Sequence, residues 1–238
     1  MAVRYPWGDP RIALTPSRID WLFRYEAVLD FVLAYPHPLR ILDFGSGNVG
    51  LGSVYTQSFA GIDLVPIVPA VPNLQPLNGI HPFALEANVD FICAMDVLEH
   101  IPPGERDTFF ATLRRVSQRF VMLSYPTAQD GRAMDIESLA WFGADPPAWL
   151  IEHLAHPHPD SEWVEQAIAR HGFRSVAYYP QTTRMQHYLE CLNVQVEGAW
   201  KLQWLNEIYQ SRMQLEHRTT DQATYRDIWV LEGVHGWG

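Results

Sequence analysis

Short apolar runs alternate with segments of helical spacing along the first 125 residues of the sequence. This alternation is typical of strands that are joined by helices and buried on both faces of a sheet. The predicted strands occupy residues 40–44, 58–63, 74–77, 89–94 and 120–124, and the predicted helices occupy residues 15–35, 49–56 and 104–116. We therefore predict an α/β chain with a doubly wound, mostly parallel sheet.

The pattern resumes in the second half of the chain after one interruption. Residues 128–160 show little periodicity and are rich in Pro, Trp and His, which predicts an insertion rather than a linker. After it, the spacing predicts helices over residues 161–171 and 185–209 and strands over residues 173–179 and 225–231. A length of 238 residues suits a single domain, which we expect over residues 1–238.

Composition narrows the expected partners and compartment. The 17 basic and 27 acidic residues give a net charge of −10 without any Lys or Arg run, so we expect no nucleic-acid partner. The longest uncharged stretch, residues 64–85, contains five prolines, which exclude a membrane-spanning helix. Cys93 and Cys191 are too few for the disulfide framework of a secreted domain. We expect a cytoplasmic monomer or homodimer without a membrane partner.

A glycine-rich loop follows the first predicted strand and indicates a ligand site. Residues 45–50 have the spacing G-x-G-x-x-G, and Asp63 stands at the end of the second strand, where a carboxylate can bind ribose hydroxyls. The same spacing suits NAD(P), so an oxidoreductase remains an alternative. Asp43 just before the loop would repel a pyrophosphate and would suit a positively charged cofactor such as S-adenosylmethionine. Alternatively, Asp43 only accepts hydrogen bonds from loop N–H groups.

Three segments together resemble a known family. Residues 41–47, 60–64 and 90–101 are similar, in order and spacing, to motifs of the class I S-adenosylmethionine-dependent methyltransferases. The last segment is similar to that of the type 11 subfamily, which carries a Leu-Glu-His signature after the fourth strand. The resemblance implies a seven-stranded, mostly parallel Rossmann-like sheet with an antiparallel strand near one edge and with helical insertions. It also implies methyl transfer to a small-molecule acceptor, more often at oxygen than at nitrogen, with S-adenosylhomocysteine as the product.

The resemblance assigns the cofactor to particular residues and divides the chain. The implied cofactor-binding residues are Asp43, Gly45, Ser46, Gly47, Asp63, Leu64, Asn78 and Met95. Among them, Asp63 would bind the ribose, Asn78 would read the adenine amino group, and Met95 would pack near the sulfur. Residues 1–127 would form the cofactor-binding half, residues 128–160 an insertion on the acceptor side, and residues 161–238 would complete the sheet. A non-catalytic S-adenosylmethionine-binding module remains a further alternative.

Asp96, Glu99 and His100 follow the fourth predicted strand at a spacing that brings them onto one face of a helical turn. His100, with Asp96 beside it, suits a general base that removes a proton from an oxygen acceptor. The three side chains also resemble the Glu-x-x-Glu-His metal ligands of some RNA-terminal and quinone-ring O-methyltransferases, which leaves a divalent metal as an alternative. A structural role without a metal is the reading that we favour from sequence.

Two further segments are candidates for the acceptor side. Tyr125 ends the fifth predicted strand and would either orient an acceptor hydroxyl or pack in the interior. His153, His156 and His158 lie close together in the proline-rich part of the insertion, where they would supply a ligand, a base or only a solvated loop.

Overall fold

A computed structural model of the chain describes residues 9–12, 19–183, 187, 191 and 224–234. The α-helices of these residues are α1 (Ile19–Ala34), α2 (Arg106–Val116), α3 (Asp130–Phe142), α4 (Ala148–Ala155) and α5 (Ser161–Arg170). Short 3-10 turns occupy Gly50–Ser53, Pro82–Ala84, Leu98–His100 and Pro103–Glu105. The predicted helix over residues 185–209 lies outside the described residues, apart from two isolated positions.

One seven-stranded sheet organises the described residues. Its strands are β1 (Ile41–Phe44), β2 (Phe59–Ile62), β3 (Leu74–Pro76), β4 (Val89–Met95), β5 (Ser117–Pro126), β6 (Phe173–Thr183) and β7 (Thr224–Gly233). The spatial order is β3-β2-β1-β4-β5-β7-β6, with β1 to β5 parallel and β7 antiparallel to both of its neighbours. The predicted mostly parallel sheet with an antiparallel strand near one edge is confirmed.

Helices cover both faces of the sheet, as a doubly wound fold requires. On one face, α1 buries Tyr25, Val28, Leu29 and Val32, which recur at the three- and four-residue spacing of a helix face. On the other face, α2 and α5 pack against a second apolar cluster that includes Phe109 and Ile168. Alternate residues of each central strand point to opposite clusters, so β1 and β4 are buried on both sides.

Two local predictions differ from the structure. The helix expected over residues 49–56 is only the 3-10 turn Gly50–Ser53, because the glycines there follow the loop around a buried carboxylate. The insertion over residues 128–160 contains α3 and α4, which periodicity did not reveal. Helix α3 has no apolar stripe because it buries polar side chains, including Asp135 and Ser138, against the sheet.

The described part of the chain contains no helix that is both long enough and apolar enough to cross a membrane.

The start of α3 lies so close to β5 and β7 that position 131 has no room for a side chain. A Cβ atom at Gly131 would lie 2.6 Å from the carbonyl oxygen of Tyr225 and 2.9 Å from the carbonyl carbon of Pro126. Backbone atoms cannot yield as a flexible side chain can. Glycine at this position therefore sets how closely α3 packs on the sheet.

We predict that Gly131→Ala lowers the free energy of unfolding by about 1–3 kcal/mol, because the methyl group displaces α3 from the sheet. Gly104→Ala is the matched control, since a Cβ there meets no atom within 4 Å. Chemical denaturation of both variants measures the difference. Equal stabilities for the two variants would contradict the close approach.

Candidate active site

A cavity of 350 Å³ opens at the carboxyl ends of β1, β2 and β4. Gly45 after β1, Asp63 after β2 and Asp96 after β4 contribute to its wall, together with Arg24 of α1 and His100. In open parallel sheets, ligands bind beyond the carboxyl ends of the strands. The size lies in the range of small-molecule pockets. Three strand ends that the sequence marked as functional therefore meet around one cavity.

Asp43 lies beneath the loop instead of facing this cavity. Its fully buried carboxylate accepts hydrogen bonds from the Leu51 N–H at 2.7 Å and from the Tyr25 hydroxyl at 2.9 Å. Burial raises the pKa of Asp43 to about 6, against the opposing effect of these hydrogen bonds. The expectation that Asp43 meets a positively charged cofactor is thus corrected, because its oxygens hold the loop and α1 together.

The Asp43 carboxylate leaves no room for a side chain at Gly50. The φ of Gly50 is +49°, and a Cβ atom would lie 2.2 Å from Oδ2 of Asp43. The last glycine of the G-x-G-x-x-G spacing therefore allows the loop to pass over Asp43, and it is not required by contact with a ligand.

Asp63 connects the end of β2 to the glycine loop at the edge of the cavity. Its Oδ2 accepts a hydrogen bond from the Gly47 N–H at 2.9 Å, and its Oδ1 accepts one from the Val65 N–H at 3.3 Å. The neighbouring Leu64 is 68% exposed and also contributes to the cavity wall. Gly45, Asp63 and Leu64 thus lie together, as expected from sequence.

Three of the other residues expected at the cofactor are turned elsewhere. Ser46 is buried and donates its hydroxyl hydrogen to the carbonyl oxygen of Gly47. Met95 packs in the core on the α1 side of the sheet. The Asn78 side chain exchanges two hydrogen bonds with the backbone of Ile67, at 2.8 and 2.9 Å, so its amide secures the proline-rich loop. Asn78 does not line the cavity, where a residue that reads the adenine would have to lie.

Tyr125 does not reach the cavity either. The side chain is completely buried, and its hydroxyl donates to Asp227 Oδ2 at 3.3 Å and accepts from Trp229 Nε1 at 3.1 Å. Of the two roles considered from sequence, packing in the interior is therefore the one that its contacts support, and its hydroxyl is not available to orient an acceptor.

Asp96 is locked into an ionic cluster at the cavity wall. Its backbone is left-handed, with φ +56°, and Asp96 lies before the 3-10 turn Leu98–His100 and not within it. The carboxylate accepts hydrogen bonds from Arg226 Nε at 2.8 and 2.9 Å, and Arg24 Nε lies 3.2 Å away. Burial alone would raise the pKa of Asp96, but the two guanidinium groups outweigh it and hold the pKa far below its usual range. Asp96 is therefore a permanent anion, which makes it a poor general base.

Glu99 has the opposite environment. Its side chain is completely buried, and neither carboxylate oxygen accepts a hydrogen bond from another residue in the described part of the chain. Burial raises the pKa of Glu99 to about 8. Two imidazole nitrogens lie within ion-pair distance of Oε1, His153 Nε2 at 3.5 Å and His100 Nε2 at 3.9 Å.

The three histidines of the insertion have three different environments. His153 is buried, with Nδ1 3.2 Å from Asp135 Oδ2. It lies close to Glu99 and His100, and of these three residues only His100 lines the cavity. His158 is also buried, and its ring nitrogens lie 3.2 and 3.3 Å from the backbone oxygens of His153 and Thr127. His156 is partly exposed. Sequence spacing could not reveal that only His153 meets the Glu99–His100 turn.

Arg24, Arg226 and Asp135 were not predicted from sequence. The one signal available was the Arg226–Asp227 pair inside an otherwise apolar strand, since charged residues within a buried strand require partners.

No protein-family model matches the sequence, and no curated protein matches it. Solved structures match nearly the whole chain at low identity. A magnesium protoporphyrin IX methyltransferase from Synechocystis PCC 6803 with bound SAH is 13% identical at a TM-score of 0.53, covering 96% of this chain and 91% of that one. A putative sarcosine dimethylglycine methyltransferase from Galdieria sulphuraria is 11% identical at a TM-score of 0.51, covering 90% and 84%.

A [4+2]-cyclase, SpnF, is also similar, with 12% identity and a TM-score of 0.52 over 89% of this chain and 80% of that one. Likeness at this level of identity concerns the fold alone. The chain has the Rossmann-like fold of the class I methyltransferases, as the sequence motifs predicted.

We predict that Arg226→Met destabilises the protein by about 3–5 kcal/mol, because it removes a partner of a buried carboxylate. Arg174→Met is the matched control, since Arg174 forms an ion pair with Glu232 in the same sheet but is 68% exposed, and such pairs contribute about 0–1 kcal/mol. Urea denaturation compares the two variants. Similar losses in both would argue against a buried ionic cluster at Asp96.

Proposed function

We propose that this protein transfers a methyl group from S-adenosylmethionine to a small-molecule acceptor, at an oxygen atom. The observation that carries the proposal is the meeting of Gly45 and Asp63 at one cavity beyond the carboxyl ends of the parallel strands. A backbone without Cβ and a carboxylate at the end of the second strand are what a nucleoside cofactor needs at this place in the fold.

The cofactor would contact the cavity wall through a few groups. Asp63 uses one lone pair of each carboxylate oxygen on the backbone N–H groups of Gly47 and Val65, and its remaining lone pairs can accept hydrogen bonds from both ribose hydroxyls. Leu64 and Phe83 offer apolar surface beside it for the adenine ring. The methionine part would then follow Gly45 toward Asp96 and His100.

The charge of the cavity favours this cofactor over NAD(P). Asp63, Glu105 and Glu152 contribute carboxylates to the wall, while Arg24 is already within 3.2 Å of Asp96. A pyrophosphate would meet net negative charge there, whereas a sulfonium and an ammonium group would be attracted. These cavity carboxylates replace Asp43 in the argument against an oxidoreductase.

Methyl transfer depends more on the alignment of donor and acceptor than on reactive side chains. The acceptor oxygen forms a bond to the methyl carbon while the carbon–sulfur bond breaks. The electron pair of the carbon–sulfur bond stays on the sulfur of S-adenosylhomocysteine. Holding the two reactants in line can supply roughly 7–11 kcal/mol. Of the candidate catalytic residues His100, Asp96 and Tyr125, His100 is a partly exposed side chain on the cavity wall. Burial and the neighbouring His153 lower its pKa to about 4, which weakens it as a general base.

The similarity to a [4+2]-cyclase means that the fold by itself does not specify methyl transfer. Formation of S-adenosylhomocysteine from S-adenosylmethionine and hydroxylated acceptors (phenols, catechols and sugars) therefore tests the proposed reaction. Binding without formation of this product, across all three classes of acceptor, would favour a non-catalytic binding module. A cytoplasmic location, the absence of nucleic-acid and membrane partners, and a monomeric or homodimeric state remain predictions.

We predict that Asp63→Asn weakens the binding of S-adenosylmethionine about 10-fold or more, because ribose hydroxyls lose a charged acceptor worth about 1.5–3 kcal/mol. The amide oxygen can still accept the Gly47 N–H, so the loop keeps its anchor. Asp90→Asn, on an exposed carboxylate paired with Arg40 outside the cavity, is the control. Isothermal titration calorimetry measures both affinities, and an unchanged affinity in Asp63→Asn would refute the ribose role.

A further inference from the structure

Three side chains from two distant segments converge beside the cavity. Glu99 and His100 belong to the turn after β4, and His153 belongs to α4 of the insertion. We propose that Glu99, His100 and His153 bind a divalent transition-metal ion of the Zn²⁺ type. The site itself stands on geometry alone, whereas its role in catalysis rests on the proposed function.

The distances fit a three-ligand site. Glu99 Oε1 lies 3.5 Å from His153 Nε2 and 3.9 Å from His100 Nε2, and one candidate ligand atom from each residue lies within 4.8 Å of the others. Ligand atoms about 2.0–2.2 Å from a zinc ion in tetrahedral geometry stand about 3.4 Å apart. Small rotations of the two imidazole rings would therefore complete the site.

Glu99 supplies an independent sign that a ligand is missing from this cluster. The carboxylate is completely buried, yet neither oxygen accepts a hydrogen bond from another described residue. Leaving a buried carboxylate without donors is costly, so such groups are normally paired or coordinate metals. The other buried acids at this edge, Asp43, Asp96 and Asp135, all accept hydrogen bonds.

Both imidazoles are oriented as metal ligands usually are. His153 directs Nε2 toward Glu99 and has Nδ1 3.2 Å from Asp135 Oδ2, while the Tyr225 hydroxyl donates to Asp135 Oδ1 at 2.8 Å. His100 likewise directs Nε2 toward Glu99 and has Nδ1 3.7 Å from Glu152 Oε2. At His153 the Asp135 carboxylate is within hydrogen-bond distance of Nδ1, which favours the tautomer that leaves the Nε2 lone pair free for a metal. Glu152 is beyond hydrogen-bond distance of His100 and contributes only a nearby negative charge.

This ligand set differs from the one considered from sequence. In the metal alternative considered there, Asp96 would join Glu99 and His100, but its carboxylate is bound to Arg226 and lies outside the cluster. His153 takes its place. One carboxylate and two imidazoles suit zinc and similar transition ions, whereas Mg²⁺ and Ca²⁺ favour oxygen ligands throughout.

The location suggests how the ion would act. Three protein ligands leave an open coordination position, and His100 is partly exposed on the cavity wall, so that position would face the acceptor. An acceptor hydroxyl bound there would release its proton to water more easily. The resulting oxygen anion would attack the methyl carbon, with the carbon–sulfur electron pair leaving on sulfur. The acceptor is then a hydroxyl compound that can bind a metal, such as a phenol or a sugar.

Metal binding tests the site without any assay of activity. Full-length protein is dialysed against a chelator and titrated with Zn²⁺ by calorimetry and with Co²⁺ by visible absorption. We expect one equivalent to bind, and we expect a Co²⁺ ligand-field spectrum typical of nitrogen and oxygen ligands. Glu99→Gln and His153→Ala should each abolish the spectrum and weaken Zn²⁺ binding more than about 100-fold. Asp135→Asn should weaken it about 10–100-fold, as loss of an outer partner does.

His156→Ala is the matched control, because it removes a partly exposed histidine from the same segment. Its metal affinity should remain within about twofold of the parent protein's, because it is not a ligand in this account. No stoichiometric binding in the parent protein, or equal losses in all variants including His156→Ala, would overturn the site. Titration of the same chelated samples with S-adenosylhomocysteine tests the proposed function separately, since Asp63 is not a metal ligand.

Discussion

A buried carboxylate at the end of β1 is the constraint on which the cavity depends. Asp43 joins the central strand to the glycine loop through the Leu51 N–H and to α1 through the Tyr25 hydroxyl. The loop can close over it only because Gly50 has no Cβ. This arrangement fixes where Gly45 and the Gly47 N–H lie, and the Gly47 N–H in turn positions Asp63 at the cavity. The edge of the cavity at Gly45 and Asp63 is therefore shaped from beneath by a carboxylate that does not line the cavity.

The reactive end of the cavity follows a second constraint, which is the cost of burying charge. Asp96 is neutralised by Arg226 and Arg24, and Asp135 is held by Tyr225 and the histidines around it. Glu99 lies among them without a hydrogen-bond donor from the described residues. Since neighbouring acids are all partnered, this exception marks the place where a cation from outside the chain would complete the structure.

Much of the fold and the position of the site could be predicted from the sequence. Short apolar runs between helical segments predicted β1, β2, β4 and β5. A strand that is buried on both faces consists almost entirely of apolar residues, which makes it easy to recognise in the sequence. Helix α3 was missed because its buried face carries Asp135 and Ser138, and an apolar stripe is therefore absent. Gly45 of the glycine loop and Asp63 both line the cavity, while their roles toward a cofactor stay predictions. The hydrogen bonds of Asn78 and Tyr125 go to groups that are distant in sequence, which spacing does not show. For Tyr125 they agree with interior packing, which was one of the two roles considered. The proximity of His153 to Glu99 was likewise not predictable from spacing, because the two residues are far apart in sequence and meet only in the folded chain.

A crystal structure of the protein with S-adenosylhomocysteine tests the central claim most directly. The account predicts that both ribose hydroxyls donate hydrogen bonds to the Asp63 carboxylate, and that the sulfur lies on the His100 side of the cavity. A nucleoside bound at another place, or a dinucleotide whose pyrophosphate occupies the space beside Gly45, would contradict it.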